Sequence, residues 1–423
     1  MYSKEHLKNV ILDQKSVYKL PVGYVRRELE SEILQAKHSE IFVITGLRRV
    51  GKSTLLASLR QQFGGDYFVN FDDERLADFT VKDFQTLFEV LLEIYGKQEV
   101  LYFDEIQNIS GWERFIRRMY DSGFKIFITG SNANLLSSDL GTHLTGRYVS
   151  YELFPFSFSE YLKARNISVD VTLLSTDAKV KLIRAVKEYL DVGGIPKYVF
   201  EREDAYLNDL YQDVLYRDIV NKYGVKKVES LRQLGTYALS NYSRLLSARK
   251  LTQIIGVKNH STVSEYLSYL EAAYLTFLVP RYAYSLKRQY VSPRKLYVSD
   301  LGLARTVGFS FSQDLGHKLE NTVYLELRRR LAAGEEIFYF KDEKKECDFV
   351  VQKGVEVVAA VQVTAELTDA NRKRELGGLL AAMNEFNIPV GYIVTMEQKE
   401  TITDGPRTIH LVPIYEWLLG EGE

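Results

Sequence analysis

The sequence predicts a multidomain α/β protein, and three observations carry that prediction: the length of the chain, an alternation of apolar runs with helical patterns over 41–153, and changes of pattern near 157, 229 and 313. At 423 residues the chain exceeds what one hydrophobic core serves, and about 150 residues per domain gives roughly three units. Its 46% hydrophobic and 26% charged composition is that of ordinary folded protein. The single cysteine, Cys347, excludes an internal disulfide framework and is expected as a half-buried strand residue in a reducing compartment, the cytoplasm. Met1–Tyr18 lacks the apolar core of a signal peptide, and no window approaches the roughly 18 apolar residues of a membrane span.

Each segment follows from its pattern. Ile41–Thr45, Tyr67–Phe71, Val100–Phe103, Lys125–Thr129 and Tyr148–Leu153 are continuous β-rich runs separated by helices, as in a parallel sheet covered on both faces. Residues 1–156 are assigned to that α/β unit. Over 157–228 the pattern is helical, broken by Gly193-Gly194-Ile195-Pro196, and is read as a helical lid. Within 229–312, Leu251, Ile254 and Ile255 mark a helix, 256–260 a turn, and Val263, Tyr266, Leu267 and Leu270 a second helix. This is a helix-turn-helix pattern, with strands near 275–279 and 295–298 placed to form a wing. Over 313–423 the order is helix (319–331), three strands (337–340, 347–351, 355–363), helix (370–386) and strand (390–395), a second α/β unit.

The chemistry concentrates after the first strand. Gly46-Leu47-Arg48-Arg49-Val50-Gly51-Lys52-Ser53 matches a phosphate-binding P-loop between a strand and the helical run beginning at Thr54. Glycines let backbone N–H groups turn toward phosphate oxygens at a helix N-terminus. Lys52 is then placed to reach the β and γ phosphates of ATP, and Ser53 to ligate Mg²⁺, while Arg48, Arg49 and Val50 complete the loop. Asp104-Glu105, at the end of a buried strand, supplies a carboxylate for the Mg²⁺ shell and one to polarise the attacking water. Ser131 and Asn132 end the next strand beside that pair. Arg147 is a candidate cation for the transition state, from the same or a neighbouring subunit.

Together these residues resemble the AAA+ class of P-loop ATPases. More narrowly, Thr45 to Thr54, Asp104-Glu105-Ile106-Gln107, Thr129-Gly130-Ser131-Asn132, Thr145-Gly146-Arg147 and Phe154 to Phe158 resemble a prokaryotic AAA+ family whose C-terminal region is an uncharacterised nuclease-like domain. The likeness continues through Gly193 to Pro196, Lys295 to Ala304 and Gly316 to Asn321, nearly the whole chain. It implies ATP binding, a winged helix and a restriction-endonuclease-like tail.

Charge divides by region. Residues 229–300 hold ten Lys and Arg against four acids, and 313–423 hold thirteen against twenty. In the basic part, Lys258, Asn259, His260, Ser261 and Thr262 lead into the second helix, and Arg281, Lys287, Arg288, Arg294 and Lys295 lie in an acid-free stretch, which suits duplex DNA. Solvated charge and a protein-packing module are the competing explanations. In the acidic tail, Glu320 and Asp348 resemble the carboxylates of the PD-(D/E)XK nucleases, but Gln362-Val363-Thr364 stands where that pattern has acid-x-lysine. One metal ligand and the cation are missing there, which favours a scaffold or protein contact over a nuclease. The expected function is therefore an ATP-hydrolysing switch with DNA or a protein as partner and a possible homo-oligomeric state. The alternatives are a nucleotide-dependent binding module with little hydrolysis and a metal-dependent nuclease.

Overall fold

The computed structural model describes residues 1–133, 144–168, 175–309 and 315–420, and the junction expected at 312–313 lies outside them. The chain divides into two compact units, Met1–Phe154 with Ala272–Tyr274, and Pro155–Glu271 with Leu275–Glu423.

The first unit opens with α1 (Lys4–Val17), where the Ser3 hydroxyl accepts from the His6 N–H at 3.2 Å and caps the first turn. It continues as α2 (Glu28–Gln35), β1 (Ile41–Thr45), α3 (Lys52–Phe63), β2 (Tyr67–Asn70), α4 (Phe84–Tyr95), β3 (Val100–Asp104), α5 (Trp112–Asp121), β4 (Lys125–Gly130) and β5 (Tyr148–Glu152). All five expected strands are present and parallel, in the order β2-β3-β4-β1-β5. Burial of β1 to β4 along nearly their whole length explains their unbroken apolar runs. On one side Phe42, Phe127 and Tyr102 align across β1, β4 and β3, with ring centroids 4.7 and 5.3 Å apart. The edge of β2 is closed by a side chain from α1: Gln14 Nε2 donates to the Asn70 carbonyl at 3.0 Å and its Oε1 accepts from the Asn70 N–H at 2.9 Å.

In the second unit α6 (Phe158–Ala164), α7 (Thr176–Val192), α8 (Pro196–Glu201), α9 (Asp204–Asp213), a π-helical stretch (Val214–Asn221) and α10 (Val228–Ser240) follow one another, with the expected break at 193–196. Then come β6 (Arg244–Leu246), α11 (Ala248–Ile254), α12 (His260–Ala272), β7 (Thr276–Val279), α13 (Leu286–Val291), β8 (Arg294–Val298) and α14 (Leu301–Val307). The two helices of the helix-turn-helix pattern form, although Ile254 is 49% exposed rather than buried. Strands β7 and β8 pair antiparallel, and β6 adds a third strand on the other side of β8. Asp300 binds two distant motifs together, accepting from the Gly194 N–H at 2.6 Å and capping α14 through the Leu303 N–H at 2.8 Å. A Cβ at Gly193 would stand 2.3 Å from that carboxylate, so glycine is required there.

The tail contains α15 (Leu315–Arg330), β9 (Glu335–Lys341), β10 (Glu346–Lys353), β11 (Glu356–Val363), α16 (Asp369–Glu385), β12 (Val390–Thr395), β13 (Glu400–Asp404), β14 (Arg407–Pro413) and α17 (Ile414–Leu419). Its six-stranded mixed sheet has the order β13-β14-β12-β11-β10-β9. The β13–β14 hairpin and α17 go beyond the elements expected from sequence; β13 is an exposed edge strand with no apolar alternation to signal it. Cys347 is fully buried rather than half-buried, because β10 is an inner strand and its Cys347 joins the core beneath Leu379 and Met383 of α16.

Candidate functional site

Strand order builds the first site. Because β4 lies between β1 and β3, the polar end of β4 stands between the loop after β1 and the acid pair after β3. Gly46 and Gly51 have φ of 148° and 101°, and a Cβ on Gly46 would meet the Leu153 carbonyl oxygen at 2.2 Å. The loop therefore depends on glycine for close approach as well as for its turn. Lys52 is buried and donates to the carbonyls of Gly46 and Leu47 at 3.0 and 3.1 Å, with Glu105 Oε1 3.7 Å away. Asp104, also buried, accepts from Thr129 Oγ1 at 2.5 Å and is hydrogen-bonded to Ser53. Glu105 has a left-handed φ of 52°, a strained conformation for a non-glycine residue, and its N–H donates to Thr129 Oγ1 at 3.0 Å. Thr129 is thus the residue that orders both acids. It opens the Thr129-Gly130-Ser131-Asn132 run, in which the sequence alone points to Ser131 and Asn132.

Electrostatics separates the two acids. Burial, with the charge of Glu105 beside it, raises Asp104 above the ordinary carboxylate range. Burial works the same way on Glu105, but Lys52 foremost, then Gln107, Arg48 and Ser131, outweigh it and hold Glu105 below its ordinary value. Ser131 and Asn132 are buried at the end of β4, Ser131 hydrogen-bonded to Glu105. Arg48 is partly buried with its guanidinium 4.0 Å from Asp72, Arg49 is exposed with φ 64°, Val50 is buried, and Thr54 is partly exposed in the first turn of α3. The structure brings together every expected member of this site except Arg147. That residue lies at the opposite edge of the sheet, its carbonyl accepting from the Ile41 N–H at 2.8 Å and its side chain 3.7 Å from Asp121. One five-residue strand, roughly 16 Å long, separates it from the P-loop, so it does not reach the loop of its own chain.

The residues present fit Mg·ATP. Oxygen donors from Ser53 and Asp104 adjoin one another, as a hard cation requires, and the glycine-lined loop with Lys52 and the N-terminus of α3 suits a polyphosphate.

In the second unit, Glu320 and Asp348 do come together, around a cation that the sequence reading held to be missing. Lys295, from β8, lies 2.8 Å from Asp348 Oδ1, 3.0 Å from Glu346 Oε1 and 3.2 Å from Glu320 Oε1. Tyr297 donates to Glu320 at 2.7 Å. Burial opposes its charge, but the three carboxylates hold the Lys295 ammonium well above its ordinary pKa. Burial likewise pushes Glu320 up to about 7. Two expectations are corrected: the cluster has a lysine, and Lys295, being buried, is not part of an exposed basic surface. Gln362 turns to Glu375 at 2.7 Å while accepting from the Asp348 N–H at 3.2 Å, and Thr364 donates to the Glu366 carbonyl at 3.1 Å. Neither faces the lysine as an acid-x-lysine pair would. Among the described residues no group of three or more His, Cys, Asp and Glu is placed to hold a metal ion, and no helix is long and apolar enough to cross a membrane. Of the expected DNA-facing residues, Lys258, His260, Lys287 and Arg288 are exposed and Thr262 is partly so.

A parallel sheet with a glycine-lined loop after one strand and an acid pair after another defines a P-loop ATPase fold of the AAA+ class. The chain belongs to that class, in one family with an uncharacterized protein of Methanocaldococcus jannaschii, to which it is 32% identical over 97% of this chain and 94% of that one. An uncharacterized Haemophilus influenzae protein is 30% identical over 93% of this chain and 98% of its own. Residues 38–162 match the family described as AAA domain, 183–314 a domain of unknown function (DUF8612) and 315–417 another (DUF4143). A solved Walker-type ATPase of Pyrococcus abyssi is 18% identical, covering 68% of this chain and 97% of its own with a TM-score of 0.40.

Proposed function

We propose that the protein binds and hydrolyses Mg·ATP and uses the cycle as a conformational switch. The observation that carries this reading is Glu105, held ionised beside Lys52 while Ser53 and Asp104 share a hydrogen bond. Lys52 would exchange its two loop carbonyls for phosphate oxygens, Ser53 and Asp104 would hold Mg²⁺, which would supply charge neutralisation at the phosphates, and Glu105 would accept the proton of the attacking water. Ser131 and Asn132 orient that water or the γ-phosphate. Arg147 serves only across a subunit boundary of a homo-oligomer. Lys52→Ala is expected to abolish ATP binding, and Glu105→Gln to bind ATP yet turn over about 10²-fold more slowly. Unchanged turnover in Glu105→Gln would instead support a binding module in which nucleotide sets conformation alone.

Around that core (1–156), residues 157–228 act as a lid, 229–312 as a winged helix and 313–423 as a contact domain, in a cytoplasmic protein. Duplex DNA is the partner favoured by the exposed Lys287, Arg288 and Arg294, set among the exposed Tyr284, Leu286, Tyr290 and Val291 without an intervening acid. A nuclease role is not proposed, since Gln362 and Thr364 are engaged elsewhere and Lys295 is held by three carboxylates.

A further inference from the structure

The phosphate loop of this protein is gripped at both ends by residues at the points where the chain leaves its unit. Thr45, which precedes the loop, is held twice. Its carbonyl accepts from the Leu153 N–H at 2.7 Å, and its hydroxyl accepts from the buried Tyr274 hydroxyl at 2.7 Å. Gly46 presses against the Leu153 carbonyl so closely that no Cβ fits. At the far end, Arg27 is buried and forks between two carbonyls, Nη1 donating to Val50 at 2.8 Å and Nη2 to Phe154 at 2.5 Å. Phe154 is the last residue of the first unit before the chain departs, and Ala272–Tyr274 is its three-residue return. Tyr274 occupies that return with a left-handed φ of 57°, a conformation an aromatic residue keeps only when its surroundings impose it.

We infer that Arg27 and Tyr274 are positioning residues that transmit the state of the phosphate loop to the two chain crossings, at 154–155 and 272–275. The inference rests on the nucleotide-site reading above. For Lys52 to reach a phosphate it must release the carbonyls of Gly46 and Leu47, which lie between the two grips. Any resulting shift of Thr45 bears on Tyr274 through one hydrogen bond. A shift of Val50 bears on Phe154 through the planar guanidinium, whose geometry fixes the two carbonyls relative to each other. Neither residue touches the reacting atoms. The loop thus reaches each exit through a single side chain, a contiguous connection of the kind that carries coupling.

Hydrogen–deuterium exchange on the full chain, with and without Mg²⁺ and β,γ-imido ATP, tests this. In the wild-type protein, nucleotide is expected to slow exchange over 44–53 and to change it at 148–156 and 270–276. Tyr274→Phe should bind nucleotide within about threefold of wild type and keep the response over 44–53, while losing an exchange difference of about tenfold at 270–276, the scale of one buried hydrogen bond. Arg27→Lys, whose rotatable ammonium fixes no plane between two carbonyls, should lose the response at 148–156 and retain that at 270–276. A merely structural Tyr274 would give faster exchange at 270–276 in both states with the nucleotide-dependent difference intact, and that result overturns the inference. A wild-type response over 44–53 with none at either crossing overturns it as well. No response even over 44–53 would remove the nucleotide-site reading and this inference with it.

Discussion

Two buried lysines face carboxylates in this protein, and they are held in opposite ways. Lys52 rests on two neutral carbonyls of its own loop, with its nearest carboxylate 3.7 Å away. Lys295 is enclosed by three carboxylates, none beyond 3.2 Å. A carbonyl is a partner that a phosphate oxygen can replace, since the ammonium gains a full counter-charge in the exchange. Three carboxylates at contact distance leave a fourth anion nothing to gain. The same residue type is therefore available for a ligand in one unit and committed to the fold in the other.

Removing each lysine is the largest test of that contrast. Lys295→Met strands buried carboxylates and should lower the unfolding free energy by about 3–5 kcal/mol, read by urea denaturation. Lys52→Met gives up hydrogen bonds to two carbonyls and the charge that Glu105 faces at 3.7 Å, but Gln107, Arg48 and Ser131 still hold that carboxylate, so it should cost less, about 1–2 kcal/mol. Equal losses would break the distinction. A smaller effect comes from pH. The folded-state pKa of Glu320 is raised to about 7 from an ordinary 4.5 because burial favours its neutral form. The folded protein thus holds a proton there that the unfolded chain has released, so this contribution is complete below about 4.5 and is lost as pH rises through 7. Glu320→Gln, neutral throughout, should flatten the fall in stability between pH 5 and 8 by on the order of 1–3 kcal/mol relative to wild type. The smallest effect concerns the surface lysine and arginine that neither cluster uses. Lys287→Ala with Arg288→Ala should leave stability within about 0.5 kcal/mol and ATP turnover unchanged, while reducing the salt dependence of duplex DNA binding by about two counterions. An unchanged salt slope, or no binding at low salt, would point to a protein partner.

Much of the first site was legible because its parts are local. A glycine-rich turn between an apolar strand and a helix reports its own geometry, and Asp104-Glu105 ends a run whose burial its four apolar residues announce. Thr129 was harder to single out: three polar residues lie at or just past the end of that strand, and only the folded geometry shows that Thr129 meets both acids while Ser131 meets Glu105. Arg147 precedes its strand rather than following it, and in a parallel sheet the two ends face opposite edges, so of its two expected roles the one within its own chain is closed by geometry that no local pattern shows. Arg27 carried no sequence signal, for an Arg26-Arg27 pair before a helix is ordinarily solvated.

The sequence by itself determined the α/β order of the first unit, the nucleotide loop and its acid pair, and the helices of the middle segment, because each is written in the period and punctuation of one short stretch. Tertiary structure alone decided the rest. Lys295 meets Glu320 and Asp348 across 25 and 53 residues, and Arg27 meets Phe154 across 127. Such pairings depend on which face of each element is turned inward and which elements become neighbours. No local pattern encodes that, since it is fixed only when the cores close and buried charges must find partners.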